Sequence, residues 1–279
     1  MIGSRVMPLA PSSSLRPVTL DELVIDDRGA LGGVAIYGRL EAFVRRSGHR
    51  FLVPAASTEL GWDRALFLNL TYWSPEAGAD VLPDDHIPAD VVAHVGWHEL
   101  VSGELARQAA GAPPSASALF FAESIASAFD LYLVGRLLAR APDSGFITTQ
   151  VPQMAECAEA AGVAEPAFAA MLEAVAREPE RAFEDLRALL YDAAGALMAC
   201  PTALAAQEAL EDFSGHRFAA LLHHYQLSNW ILYARAYAGR ATGPDPLVSG
   251  LDRTLREATV SLDWLDTTWL EPALTRTSS

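Results

Sequence analysis

The 279-residue chain has only two cysteines, Cys157 and Cys200, and neither stands in a CxxC or Cys/His cluster. That excludes a disulfide framework and leaves buried or idle thiols as the plain reading. Basic charge is also scarce: 20 basic residues against 35 acidic ones give a formal charge of −15. So acidic a chain lacks the electrostatic footprint of a nucleic-acid binder or a basic membrane anchor. Nucleotide-binding signatures are missing too. There is no Walker A pattern and no GxGxxG after a strand, and Gly29-Ala30-Leu31-Gly32-Gly33 has neither the lysine nor the spacing. A GxSxG nucleophile elbow and a repeat of fixed period are likewise absent. The Ser- and Pro-rich opening, residues 1–17, lacks a charged n-region followed by an apolar run and reads as a disordered lead. No later stretch offers the roughly 18 uncharged apolar residues of a membrane span. The expectation is a cytoplasmic protein with no nucleic-acid or membrane partner, its oligomeric state left open.

What is present is apolar and helix-forming. A hydrophobic share of 51% is ample for a buried core. Val34, Ile36, Tyr37, Leu40, Phe43 and Val44 predict a helix over 33–46 that stops at Ser47-Gly48. Residues 50–53 and 65–73 carry the β-branched, aromatic and alternating pattern of strands, and Pro- and Gly-containing turns follow. Pro88 and Asp90 suit the first turn of a helix running to about 110, and a densely apolar helix follows from about 115 to 140. From about 150 the Ala-, Leu- and Glu-rich sequence reads as successive helices near 151–161, 165–177, 179–199, 202–212, 215–238 and 251–265. The fold class expected is mostly α with a small β portion (α+β). After the lead, a mixed lobe over 18–145 would pack on a helical body over 146–279.

The candidate chemistry centres on Val92-Ala93-His94-Val95-Gly96-Trp97-His98-Glu99. At about 100° per residue His94 and His98 lie one helical turn apart on nearly the same face, the spacing at which two ring nitrogens share a divalent metal. A packed or capping pair is the alternative. On the next helix, Glu123, Ser127 and Asp130 fall on one face of an otherwise apolar run. A carboxylate there needs a cation, because acids are rarely buried unless paired or metal-bound. Two imidazoles and the Glu123 carboxylate make a three-ligand site with an open position, the arrangement of catalytic zinc.

This pattern resembles the gluzincin, or thermolysin-like, metallopeptidases. Their HExxH helix is followed on a later helix by a third ligand in a segment of the form (N/G)E-x-x-(A/S), to which Ala122-Glu123-Ser124-Ile125-Ala126 is similar. The resemblance covers about residues 50–135. It implies one divalent metal, zinc before iron, a peptide or peptide-like substrate, and hydrolysis by an activated water. It also implies substrate pairing along the strand Leu66 to Trp73, with Leu70, Tyr72 and Trp73 as contacts. The family's general base follows the first histidine, and here that position is Val95. Glu99 is the available substitute, but it lies about 120° from the mean ligand direction, against about 80° for the family's glutamate. A salt-bridged or solvated acid is its other reading.

Three accounts remain open at this point: hydrolysis with an imported base, a catalytically reduced relative that binds a peptide by strand addition, or a two-His, one-carboxylate iron site for oxygen chemistry. His216, His223, His224 and Tyr225 form a second concentration. One of His223, His224 or Tyr225 would donate a hydrogen bond to an oxyanion if it faces the first site, and all three would otherwise be core or surface residues. Asp130, and with it Ser127, stands as a neighbour of the ligands, orienting a histidine or serving a second metal. A two-iron oxidase normally uses ExxH pairs, and the sequence has none. His49 and His86 read as solvated loop residues, and the tryptophans as core or pocket wall.

Overall fold

The computed structural model describes residues 15–54, 80–109, 114–237 and 245–276. It is mostly helical with small sheets. The described chain divides into two compact units, one from residues within 1–26 and 45–87, the other from those within 27–44 and 88–279.

In the first unit, β1 (Leu15–Thr19) pairs antiparallel with β3 (Arg50–Pro54), which pairs in parallel with β4 (Asp80–Val81). β2 (Val24–Asp26) pairs with β5 (His86–Pro88). Alternation buries Val18, Phe51 and Val53 on one face. The strand expected at 50–53 is present, whereas the one expected at 65–73 lies outside the described residues. β1 begins at Leu15, inside the stretch expected as lead. His49 and His86 are less free than loop residues: His49 pairs with Asp80 at 3.0 Å and His86 with Asp26 at 3.0 Å.

The second unit is built around one helix. After α1 (Arg28–Leu31) and α2 (Ala35–Ser47) come α3 (Ala89–Gln108) and α4 (Ala116–Leu137). They are followed by α5 (Gly145–Ala160), α6 (Glu165–Arg177), α7 (Pro179–Ala199), α8 (Ala203–Glu211) and α9 (Leu227–Tyr237). α10 (Pro246–Glu257), α11 (Ser261–Leu265), a π-helical turn at Asp266–Leu270 and α12 (Glu271–Thr275) complete it. α4 is apolar all round and packs against α3, α6 and α7. It is long and apolar enough to cross a membrane by length and composition, yet 83% of that stretch is buried inside the protein. Gly135 sets its closest approach to α6 and α7: a Cβ there would meet the Val175 carbonyl oxygen at 2.8 Å. Arg187 of α7 is fully buried under the same helix, paired with Glu184 and Asp252 and lying 5.8 Å from the Phe121 ring.

α3 carries the histidines and is pinned on its opposite face. Gly96 lets Leu40 and Val44 of α2 approach, a Cβ there lying 3.3 Å from both, and Trp97 meets Phe129 of α4 edge to face at 5.6 Å. Burial of Val92, Ala93, Val95, Trp97, Leu100 and Val101 leaves Asp90, His94 and His98 as a partly open stripe at successive turns.

Candidate metal centre

α4 meets that stripe with its own exception. Between Phe120 and Gly135 the only residues that are not buried are Glu123 and Asp130. Seven residues apart on a helix, they share a face. Ser127 lies between them and is buried. Packing of two apolar helices therefore brings two imidazoles against two carboxylates.

The distances are compatible with a shared ion. His94 Nε2 lies 3.2 Å from His98 Nε2, Glu123 Oε2 lies 3.4 Å from His98 Nε2, and it lies 3.9 Å from His94 Nε2. The nearest point equidistant from the three atoms is about 2.0 Å from each, against about 2.0–2.1 Å for zinc–nitrogen and about 2.0–2.2 Å for zinc–carboxylate bonds. The side chains of His94, His98 and Glu123 stay 23%, 26% and 13% exposed, which leaves an approach for a further ligand. His94, His98 and Glu123 thus form a group able to hold a metal ion, and no other such group occurs among the described residues.

The surroundings are strongly negative. Asp130 Oδ2 faces His94 Nδ1 at 3.7 Å, an ion-pair distance on the side of the ring away from Glu123. Burial pushes the His94 imidazolium down, but Asp130 and then the charges of Glu123 and Asp90 outweigh it and lift the ring to about 9. A carboxylate on Nδ1 favours a proton there and turns the Nε2 lone pair toward His98 and Glu123. Asp90 is the neighbour that sequence reasoning missed, although its place four residues before His94 extends the same stripe. Burial, then the charge of Asp130, raises its carboxyl to about 6, against the pull of the Asp90 and Val91 N–H groups and His94.

Glu99 is partly exposed on α3 and is not one of the three converging atoms. Val95, at the position of the family's base, is buried. The helix expected at 215–238 is replaced by turns and a 3-10 turn at Ala219–Leu221 before α9, with Gln226 left-handed at φ 49°. His223, His224 and Tyr225 are therefore turn residues. Two of them feel the charge of Asp130. Burial lowers His224 against the charge of Asp130, and burial and Asp130 together raise Tyr225 well above its ordinary value. The Tyr225 hydroxyl is buried with no hydrogen-bond partner. Leu70, Tyr72 and Trp73 lie outside the described residues.

Comparison of the chain with protein-family profiles, with curated proteins and with solved structures finds no match, so the centre is read from its own geometry.

Proposed function

We propose that the protein binds one divalent metal through His94 Nε2, His98 Nε2 and Glu123 Oε2 and directs it at a peptide or amide carbonyl, as gluzincin metallopeptidases do. The carrying observation is the triangle of donor atoms, whose centre stands at metal-bond distance from each corner. Zinc suits it better than iron, because four-coordinate zinc needs one further ligand while a six-coordinate facial-triad iron needs three in a partly buried setting. Once bound, the ion supplies Lewis acidity for carbonyl polarisation and water activation.

The chain's own residues do the rest. Asp130 holds the Nδ1 side of His94 so that Nε2 stays a donor. In this reading Tyr225 and His224, both of which feel the charge of Asp130, donate hydrogen bonds to negative charge developing on a carbonyl oxygen. Proton transfer falls to Glu99 or a neighbour, since Val95 has no group to accept a proton. That apolar position favours a second reading, a relative with slow or lost turnover that retains peptide binding.

The test is cleavage of a peptide mixture by zinc-loaded wild type, His98→Ala and Val95→Glu. Cleavage lost in His98→Ala and increased in Val95→Glu supports hydrolysis. Peptide binding without turnover in the wild type supports the second reading. Cleavage that survives both His98→Ala and chelation overturns the metal-dependent reading.

A further inference from the structure

The corners of the donor triangle belong to two helices, so its size depends on how α3 and α4 are spaced. The His94–His98 edge, 3.2 Å, lies within α3 and travels with that helix. The edges from Glu123 to His98 and to His94, 3.4 and 3.9 Å, cross from α4 to α3 and change with any shift between them. The packing behind α3 bears on that spacing.

Gly96 stands two residues from each histidine, about 200° around the helix from both, and so on the face turned away from the metal donors. That face rests on α2. A Cβ at Gly96 would lie 3.3 Å from Leu40 Cβ, 3.3 Å from Val44 Cγ2 and 3.4 Å from Leu40 Cδ2, inside the roughly 3.5–4.0 Å of ordinary carbon contacts. Leu40 and Val44 are both buried in close-packed surroundings and have little room to yield. α3 is therefore seated on α2 as deeply as a residue without a side chain allows. In front, α3 meets α4 through the edge contact of Trp97 with Phe129 at 5.6 Å. α4 is backed in turn by its own close approach, since a Cβ at Gly135 would stand 2.8 Å from the Val175 carbonyl oxygen and 2.9 Å from Pro179 Cβ.

We infer that Gly96 is a positioning residue that gauges the metal centre: by letting α3 settle onto α2, it holds the two imidazoles at the distance from Glu123 that fits an ion of zinc's size. Gly96 has no side chain to offer a metal and acts through His94 and His98. This role rests on the metal-centre reading and adds to it the device by which the fold selects among ions by radius. Filling the space at position 96 presses α3 toward α4, shortens both cross-helix edges and disfavours a larger ion. Removing bulk from α2 lets α3 sink back and lengthens them.

The test is competition titration of zinc against cadmium, a larger ion of the same charge, with wild type, Gly96→Ala, Val44→Ala and the double variant. The ratio of the two dissociation constants is the readout. Gly96→Ala is expected to move it toward zinc by about three- to tenfold, less than the roughly 10–100-fold typical of losing a direct partner of a ligand. Val44→Ala is expected to move it toward cadmium, and the two shifts should offset each other in the double variant, where the new methyl takes the room the old one left. A glycine with a merely structural role would change the melting temperature and leave the ratio alone. A ratio within about twofold of wild type in folded Gly96→Ala, or shifts of the same sign in both single variants, overturns the inference and leaves the metal reading standing as long as zinc is bound. If Gly96→Ala does not fold, Val44→Ala decides: a shift toward cadmium supports the role, and no shift or the reverse overturns it. A wild type that takes up neither ion defeats both readings.

Discussion

Replacing His98 with alanine removes the corner of the donor triangle that lies nearest both others, at 3.2 Å from His94 Nε2 and 3.4 Å from Glu123 Oε2. Only the longest edge, 3.9 Å between His94 and Glu123, then remains. Structural zinc sites bind with about 10–16 kcal/mol over four ligands, so an even share is about 2.5–4 kcal/mol each, or roughly 10²–10³ in dissociation constant. The fold should hardly notice. His98 is 26% exposed, alanine is the better helix former, and apo stability should stay within about 1 kcal/mol of wild type. Competition against a chromophoric chelator reads the affinity, and thermal unfolding reads the linkage. Zinc at about 100 times its dissociation constant adds about 2.7 kcal/mol to wild type, hence several degrees of melting temperature, and His98→Ala should lose most of that gain. A folded His98→Ala protein whose zinc affinity stays within about threefold of wild type would refute the assignment.

Other outcomes follow from the same packing. In metal-free protein the raised His94 contributes stability that is fully present below its ordinary value of 6.5 and is lost as pH rises through about 9. Melting temperatures across that window should fall with pH, and Asp130→Asn should flatten the slope. Arg187→Ala strips the guanidinium from Glu184 and Asp252 beneath α4 and opens a cavity, a loss of about 3–5 kcal/mol readable by urea unfolding. Gly135→Ala drives a methyl against the Val175 carbonyl, and about 1–3 kcal/mol should be lost in the same assay.

Much of this was legible where local signals agreed. The boundaries of α6 and α7 match expectation because Pro166 and Pro179 sit at their first turns and break the run between them. His94, His98 and Glu123 were visible because helical periodicity fixes faces, and an acid in an apolar stripe demands a partner. Residues 216–226 read as helix because Phe218, Leu221, Leu222 and Tyr225 repeat at helical spacing, but the structure has turns there, and the left-handed Gln226 that ends them has no sequence signature. α5 starts at Gly145 rather than 151: Ser144 caps it, and Asp27, over a hundred residues earlier, accepts the Phe146 N–H at 2.8 Å. Pro152 then sits inside the helix rather than at its start. Asp90 reads in the sequence as a favourable helix-start charge, and only packing of α3 against α4 brings the charge of Asp130 to bear on it.

The central claim is that α3 and α4 grip one ion between two ring nitrogens and one carboxylate. Elemental analysis of wild type and Glu123→Ala, each loaded with zinc or iron(II) and passed through gel filtration, addresses it directly. One equivalent of zinc per wild-type chain and almost none in the folded variant is the result predicted. A wild-type chain that emerges folded and metal-free, or a variant that keeps its full equivalent, would contradict it.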